Sequence, residues 1–227
     1  MVFCTGRKFG ANSRIVILTT CCVAGWFLGQ FLAHIFPPKP IISVFKNTRT
    51  VPPLETQKCN RWSPCPNGSF VFEITSGGGQ NVFPNICFED EIILGESNAG
   101  RGINIAVVSA SSGKMTDSAN FNMWTGDNSG AMVKFIQGIP SGTFVMMATF
   151  DEGSKQLKPE AKKEIEKLGS TLINKINFRA NWVFFGAKGV DIPGDFTKEK
   201  ILFLNKKKSK SPGWPAVIQI DGCVGRK

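Results

Sequence analysis

The chain of 227 residues contains one histidine, His34, and no tyrosine. Beyond residue 34 no imidazole is available, which excludes Ser-His-Asp and Cys-His catalysis downstream. There is no H-E-x-x-H pair, no phosphate-binding G-x-x-x-x-G-K-S/T loop and no EF-hand loop. No period of about 20–50 residues repeats, so solenoids and propellers are excluded as well. The missing tyrosine, beside 19 phenylalanines, predicts a core without phenolic hydroxyls; nothing functional follows from it.

Charge is also absent from one long stretch. Residues 15–36, IVILTTCCVAGWFLGQFLAHIF, hold no Asp, Glu, Lys or Arg, and Arg7, Lys8 and Arg14 precede them. A basic start before an apolar run is a cleaved signal peptide or a signal-anchor helix. The run is long for the first and long enough to span a bilayer. Gly25 and Gly29 interrupt it, and Pro37-Pro38 ends it. Residues 1–36 are therefore read as signal peptide or signal-anchor, with removal and secretion favoured through the endoplasmic reticulum and Golgi. Any membrane contact would come only from an uncleaved N-terminal segment. In either case the downstream chain enters the secretory lumen.

Cysteine usage agrees with that compartment. Cys4, Cys21 and Cys22 fall in or before the leader, leaving Cys59, Cys65, Cys87 and Cys223. Four cysteines in a lumenal chain predict two disulfides, with three connectivities open. Zinc is the rival reading, but C-x5-C followed by gaps of 21 and 135 residues is not knuckle spacing. No metal and no cofactor are expected.

The net charge is +10, falling to +7 without residues 1–36, which carry three basic and no acidic residues. Much of the excess is the KKKSK run, Lys206, Lys207, Lys208 and Lys210. A solvated loop is the plainer reading, and contact with anionic glycans or membrane surfaces the alternative. Nucleic acid is not expected, since the compartment is wrong and no reader motif is present.

Residues 37–58 hold five prolines and read as a stalk, so the globular domain spans 59–227. Asn67-Gly68-Ser69 is the one N-x-S/T sequon and makes Asn67 a glycosylation candidate. Alternating Phe70, Phe72 and Ile74 predict a half-buried strand over 69–76. Gly77-Gly78-Gly79 then reads as a turn rather than a phosphate cradle. Strands are predicted around 85–94, 102–110, 115–124, 143–150, 182–187 and 216–220. Helices are predicted over 126–139, which Asp127 or Asn128 can cap, and over 158–169, with Pro159 in its first turn and Gly169 after its end. Hairpin turns dominate and no clean β-α-β alternation occurs, which predicts an α+β fold of antiparallel sheets flanked by helices.

The stretch ATFDEGSKQL, 148–157, ends an apolar run on Asp151 and Glu152. These are readable as an acid pair, a metal site, a ligand-holding corner or a polar turn. Neighbours on extended backbone point to opposite faces, which speaks against two carboxylates flanking one bond.

CNRWSPCP, GGG, ICFED, GRGINIAV, GDNSGAMVKFIQ, ATFDEGS, LGS, FRANWVFFGAKG and SPGWPAVIQIDGC occur in that order across 59–223. In this pattern the chain resembles the cytokine-like "family with sequence similarity three". The resemblance implies a secreted, hormone-like, non-enzymatic protein acting on pancreatic islets, insulin secretion and glucose metabolism through a cell-surface receptor. It implies a two-sheet sandwich with short helices and disulfides Cys59–Cys87 and Cys65–Cys223. One relative carries a cysteine where this chain has Phe185, so a covalent dimer is not expected here and a monomer is. The same domain type, of the lectin-like GG kind, also occurs in the stem of a glycosyltransferase. By motif, that similarity makes Asp151, Arg179 and Trp182 candidate sugar contacts, with glycans as alternative partners; an Asp151–Arg179 ion pair pinning two strand ends is the structural alternative.

Overall fold

The computed structural model describes residues 11–35, 58–61, 63–192, 196–204 and 213–227. The Pro-rich stretch up to residue 57 and the lysines at 206–210 lie outside the described residues. The chain divides into two compact units, 1–54 and 55–227. In the first, α1 is a helix over Ala11–Ile35. Among the described residues no helix is long and apolar enough to cross a membrane.

Among the described residues the second unit is built on nine strands. β1 (Ser69–Thr75), β2 (Asn85–Phe88) and β3 (Glu91–Leu94) are followed by β4 (Gly102–Ser109), β5 (Met115–Phe121) and β6 (Thr143–Phe150). β7 (Asn181–Lys188), β8 (Glu199–Leu202) and β9 (Gln219–Gly225) complete them, with α2 (Ser129–Gly138) and α3 (Pro159–Lys167) between. All pairings are antiparallel, in a four-stranded sheet ordered β3-β2-β1-β9 and a five-stranded one ordered β5-β4-β6-β7-β8. This is the α+β fold of antiparallel sheets that the hairpin-rich pattern predicts, packed as the two-sheet sandwich that the family resemblance implies.

Strand parity explains the layers. Every residue of β6 is buried because both of its faces are covered. Phe144, Met146 and Ala148 pack with Phe70, Phe72 and Ile74 of β1 between the two sheets. Val145 and Met147 face the opposite way, against Met132 and Ile136 of α2 and Ala161 and Ile165 of α3. Phe185 lies wholly in the inter-sheet layer, its ring centroid 4.3 Å from that of Phe72. Pro159 occupies the first turn of α3, and Gly169, at φ 105°, follows its end. Asn128 is the N-cap position of α2 but makes no side-chain cap; its amide donates to the Asn122 carbonyl instead.

On the outer face of the four-stranded sheet a single 3-10 turn, Lys58–Asn60, is held against Val71 by Cys59–Cys87. Cys65 is joined to Cys223, so the pairing is the one the family resemblance implies. Glu89 reinforces this corner, its carboxylate accepting from the Val71 N–H and from Lys58 Nζ, both at 2.9 Å. Desolvation opposes its ionisation, but the bonds from Lys58 and Val71 and the charges of Lys58 and Arg226 prevail and hold its pKa below the ordinary 4.5. Its contribution to stability is thus present above pH 4.5 and lost as pH falls through the lower folded value. Glu89→Gln should flatten the acid limb of a melting-temperature profile between about pH 3 and 5; an unchanged limb would refute this assignment.

Three elements differ from the periodicity reading. β8 is unanticipated, since EKIL is a short, half-exposed edge strand with two charges in four residues. The last strand begins at Gln219 rather than 216, because its pairing with β1 starts at Gln219 opposite Thr75. β5 stops at Phe121 because the Asn122 side chain accepts from the N–H groups of Trp124 and Thr125 and turns the chain.

Candidate functional site

Where β6 ends and β7 is about to begin, two non-glycine residues adopt left-handed backbone: Asp151 at φ 62° and Arg179 at φ 55°. Such conformations persist only where surrounding bonds enforce them. Here the enforcing group is Glu152, whose side chain is buried. One carboxylate oxygen accepts the Arg179 N–H at 2.6 Å. The other accepts from the Ser154 N–H at 2.5 Å, the Ser154 hydroxyl at 2.6 Å and the Lys155 N–H at 2.9 Å. Thr149 adds a second clasp, its hydroxyl accepting from the Trp182 N–H at 2.8 Å.

Asp151 turns the other way. The Trp214 indole donates to one oxygen at 3.0 Å, and Arg101 Nε lies 3.3 Å from the other. Arg179 Nε stands 4.0 Å from Asp151, too far for a hydrogen bond, and is buried without an acceptor. The guanidinium lies 3.9 Å above the Trp214 ring and 5.1 Å from that of Phe178, while Nη1 donates to the Gly213 carbonyl at 3.2 Å. Phe178 is half exposed. Its ring is 6.1 Å from that of Trp124, over which Lys155 Nζ sits at 4.1 Å.

Asp151 and Arg179 are thus brought to one corner, but not as a direct bidentate pair. Trp182 is not there. Its side chain is fully buried on the helix-facing side of β7, stacked on Phe184, with Nε1 donating to Glu199 at 2.7 Å. Strand parity sends it inward, and the indole of the corner is Trp214. The SPGWPAV segment carried that signal, its proline-flanked glycine and tryptophan marking a turn that returns to the sheet. Nothing within GRGINIAV marks Arg101 as a member of the corner, and Glu152 serves the interior rather than a turn alone.

Asp151 and Glu152 divide their partners between surface and interior, so they do not share a reacting atom. What the corner offers is a carboxylate acceptor, a planar guanidinium donor and aromatic faces, a set suited to binding polar ligands with apolar flanks. Among the described residues no cluster of three or more His, Cys, Asp or Glu side chains is placed to hold a metal. Asn67 is exposed on the turn that leads into β1.

The fold and its corner define a disulfide-braced α+β sandwich domain. A family model described as Interleukin-like EMT inducer matches residues 101–190. The chain is similar to Protein FAM3B of Homo sapiens, 38% identical over 228 residues, covering 96% of this chain and 97% of that protein. It is also 37% identical over 231 residues to Protein FAM3C of Bos taurus, covering 97% and 99%. With Protein FAM3D of Mus musculus it shares 37% over 172 residues, covering 75% and 76%. The chain belongs to the FAM3 family. FAM3B, the pancreatic-derived factor, is one of the relatives matched along nearly the whole of both chains.

Proposed function

We propose that the protein is a secreted, non-enzymatic, cytokine- or hormone-like ligand that acts through a cell-surface receptor. Its field of action is pancreatic islet function, insulin secretion and glucose metabolism. The observation that supports this reading most is similarity to FAM3B over nearly the whole length of both chains, leader included. The basic-then-apolar start and the two bridges are in keeping with export to an oxidising compartment. The test is to express the full chain, sequence its N-terminus from culture medium, and apply that material to islet cells. A cleaved, soluble species that alters glucose-stimulated insulin release is expected. Material found only inside cells with residues 1–36 intact, or no change in insulin release, would refute it.

The second reading is a lectin-like module, favoured by the buried Arg179 Nε without an acceptor beside Asp151. A sugar hydroxyl can receive from the guanidinium and donate to the carboxylate while its ring rests on an indole. Monovalent binding on the order of millimolar, about 4 kcal/mol, is the expected strength. In an NMR titration with neutral saccharides, resonances of Asp151, Arg179 and Trp214 should shift, and Arg179→Ala should abolish the shifts. Silence across the corner leaves the receptor reading alone.

A further inference from the structure

The corner does not end at Arg179. Lys155, Trp124, Phe178, Arg179 and Trp214 form one continuous strip of three aromatic rings with a cation over the first and another between the last two. Successive members are separated by 4.1, 6.1, 5.1 and 3.9 Å. We propose that this strip is a binding track for an anionic oligosaccharide, one whose repeating units carry carboxylate or sulfate groups. The inference rests on the carbohydrate reading of the Asp151–Arg179 corner and extends it from one sugar hydroxyl to a charged chain.

Three observations carry the choice of ligand. First, the rings are accessible: Phe178 is 49% exposed and Trp124 36%, which leaves apolar faces against which the C–H faces of pyranose rings can lie. Second, the charge is one-sided. Lys155 has no ion pair among the described residues, and Arg101 and Arg179 share the single carboxylate of Asp151. The other nearby acids are committed elsewhere, Glu152 to its four inner donors and Asp127 to Lys158. Third, Asp151 keeps acceptor capacity at the end of the strip, which suits a hydroxyl donor and repels a bare anion, so the ligand must carry both hydroxyls and charge. A stretch of acidic peptide satisfies the cations but offers no face for the rings and few donors for Asp151.

In this arrangement Lys155 and Trp124 read the charge and the second sugar unit, while Arg179 and Asp151 hold the first. Cations seated on ring faces present ring and charge to the same unit of the ligand. The lysines at 206–210 attract the same anions by charge alone, and the experiment tells the two contributions apart.

The test titrates the full folded chain, by calorimetry and NMR, with a heparan sulfate hexasaccharide, a hyaluronan hexasaccharide and neutral chitohexaose. At low ionic strength the acidic hexasaccharides should bind about tenfold more tightly than the neutral one, a margin that narrows with added salt. Lys155→Glu should weaken the acidic ligands about tenfold and leave chitohexaose within about twofold. Trp124→Ala should weaken both acidic ligands while leaving the Arg101 and Trp214 resonances in place, which verifies the fold at the corner. A variant with Lys206, Lys207, Lys208 and Lys210 changed to serine should keep the ring-strip shifts. Equal binding of neutral and acidic ligands, lost in Arg179→Ala, would leave the carbohydrate reading standing and overturn the track. Acidic binding that survives Lys155→Glu but vanishes in the serine variant would overturn it as well, as would equal competition by a poly-glutamate peptide. No binding of any saccharide would refute both.

Discussion

Glu152→Ala is expected to cost about 4 kcal/mol of stability, because it removes one side chain and strands three backbone N–H groups indoors. Those donors belong to Ser154, Lys155 and Arg179, on two separate segments that this carboxylate joins. The loss is therefore one of tertiary connection as well as hydrogen bonding. For a domain of this size it corresponds to a fall of about 10 °C in melting temperature. Glu152→Gln keeps the shape but loses the charge-assisted character and presents N–H to N–H on one side, so an intermediate loss of about 2 kcal/mol is expected. Urea unfolding followed by tryptophan fluorescence measures both. A loss below about 1 kcal/mol for the alanine variant would show that water or a rearranged loop replaces the carboxylate. Asp151→Asn, by contrast, keeps an acceptor for the Trp214 indole but removes the charge that faces Arg101 and Arg179, and should cost about 1 kcal/mol while altering ligand shifts.

The second large effect concerns the covalent frame. Changing Cys65 and Cys223 together to serine should cost about 5 kcal/mol, since the bridge closes a loop of 158 residues and so restricts nearly the whole unfolded domain. The same change at Cys59 and Cys87, 28 residues apart, should cost about 3.5 kcal/mol. The order matters more than the values. Measured by denaturant midpoints under oxidising conditions, a larger loss from Cys59 and Cys87 would show that the packing of the Lys58–Asn60 turn on Val71 outweighs loop entropy.

Much of the fold could be read in advance because its strands obey simple parity. Phe70, Phe72 and Ile74 alternate as one buried face must, and TFVMMATF is apolar throughout because sheets and helices cover both its sides. Asp151 and Arg179 were legible as neighbours only through the family resemblance. What was not legible depends on contacts distant in sequence. Trp214 reaches Asp151 across 63 residues, and nothing local distinguishes its indole from that of Trp182. Parity within NWVFFGAK decides the matter, since Trp182 and Phe184 must share a face and that face looks at the helices. Glu152 was hidden for a different reason. A carboxylate after a strand reads as solvent-facing unless its donors are known, and those donors are backbone groups that leave no mark on composition. The edge strand β8 was invisible because four residues with two charges give no period.

The placement of β9 has a consequence for how the protein is made. β9 is the last strand in chain order, yet it pairs with β1, the first, along seven registered positions. As the chain emerges from the ribosome, the inner strand of the four-stranded sheet waits with one edge open until almost everything else has been synthesised. Cys65 waits with it, a lone thiol beside Cys59 and Cys87 until Cys223 arrives. Oxidative folding thus passes through a stage in which three cysteines compete for one bridge, and any bridge from Cys65 to Cys59 or Cys87 must be undone by thiol exchange before Cys223 can take its partner.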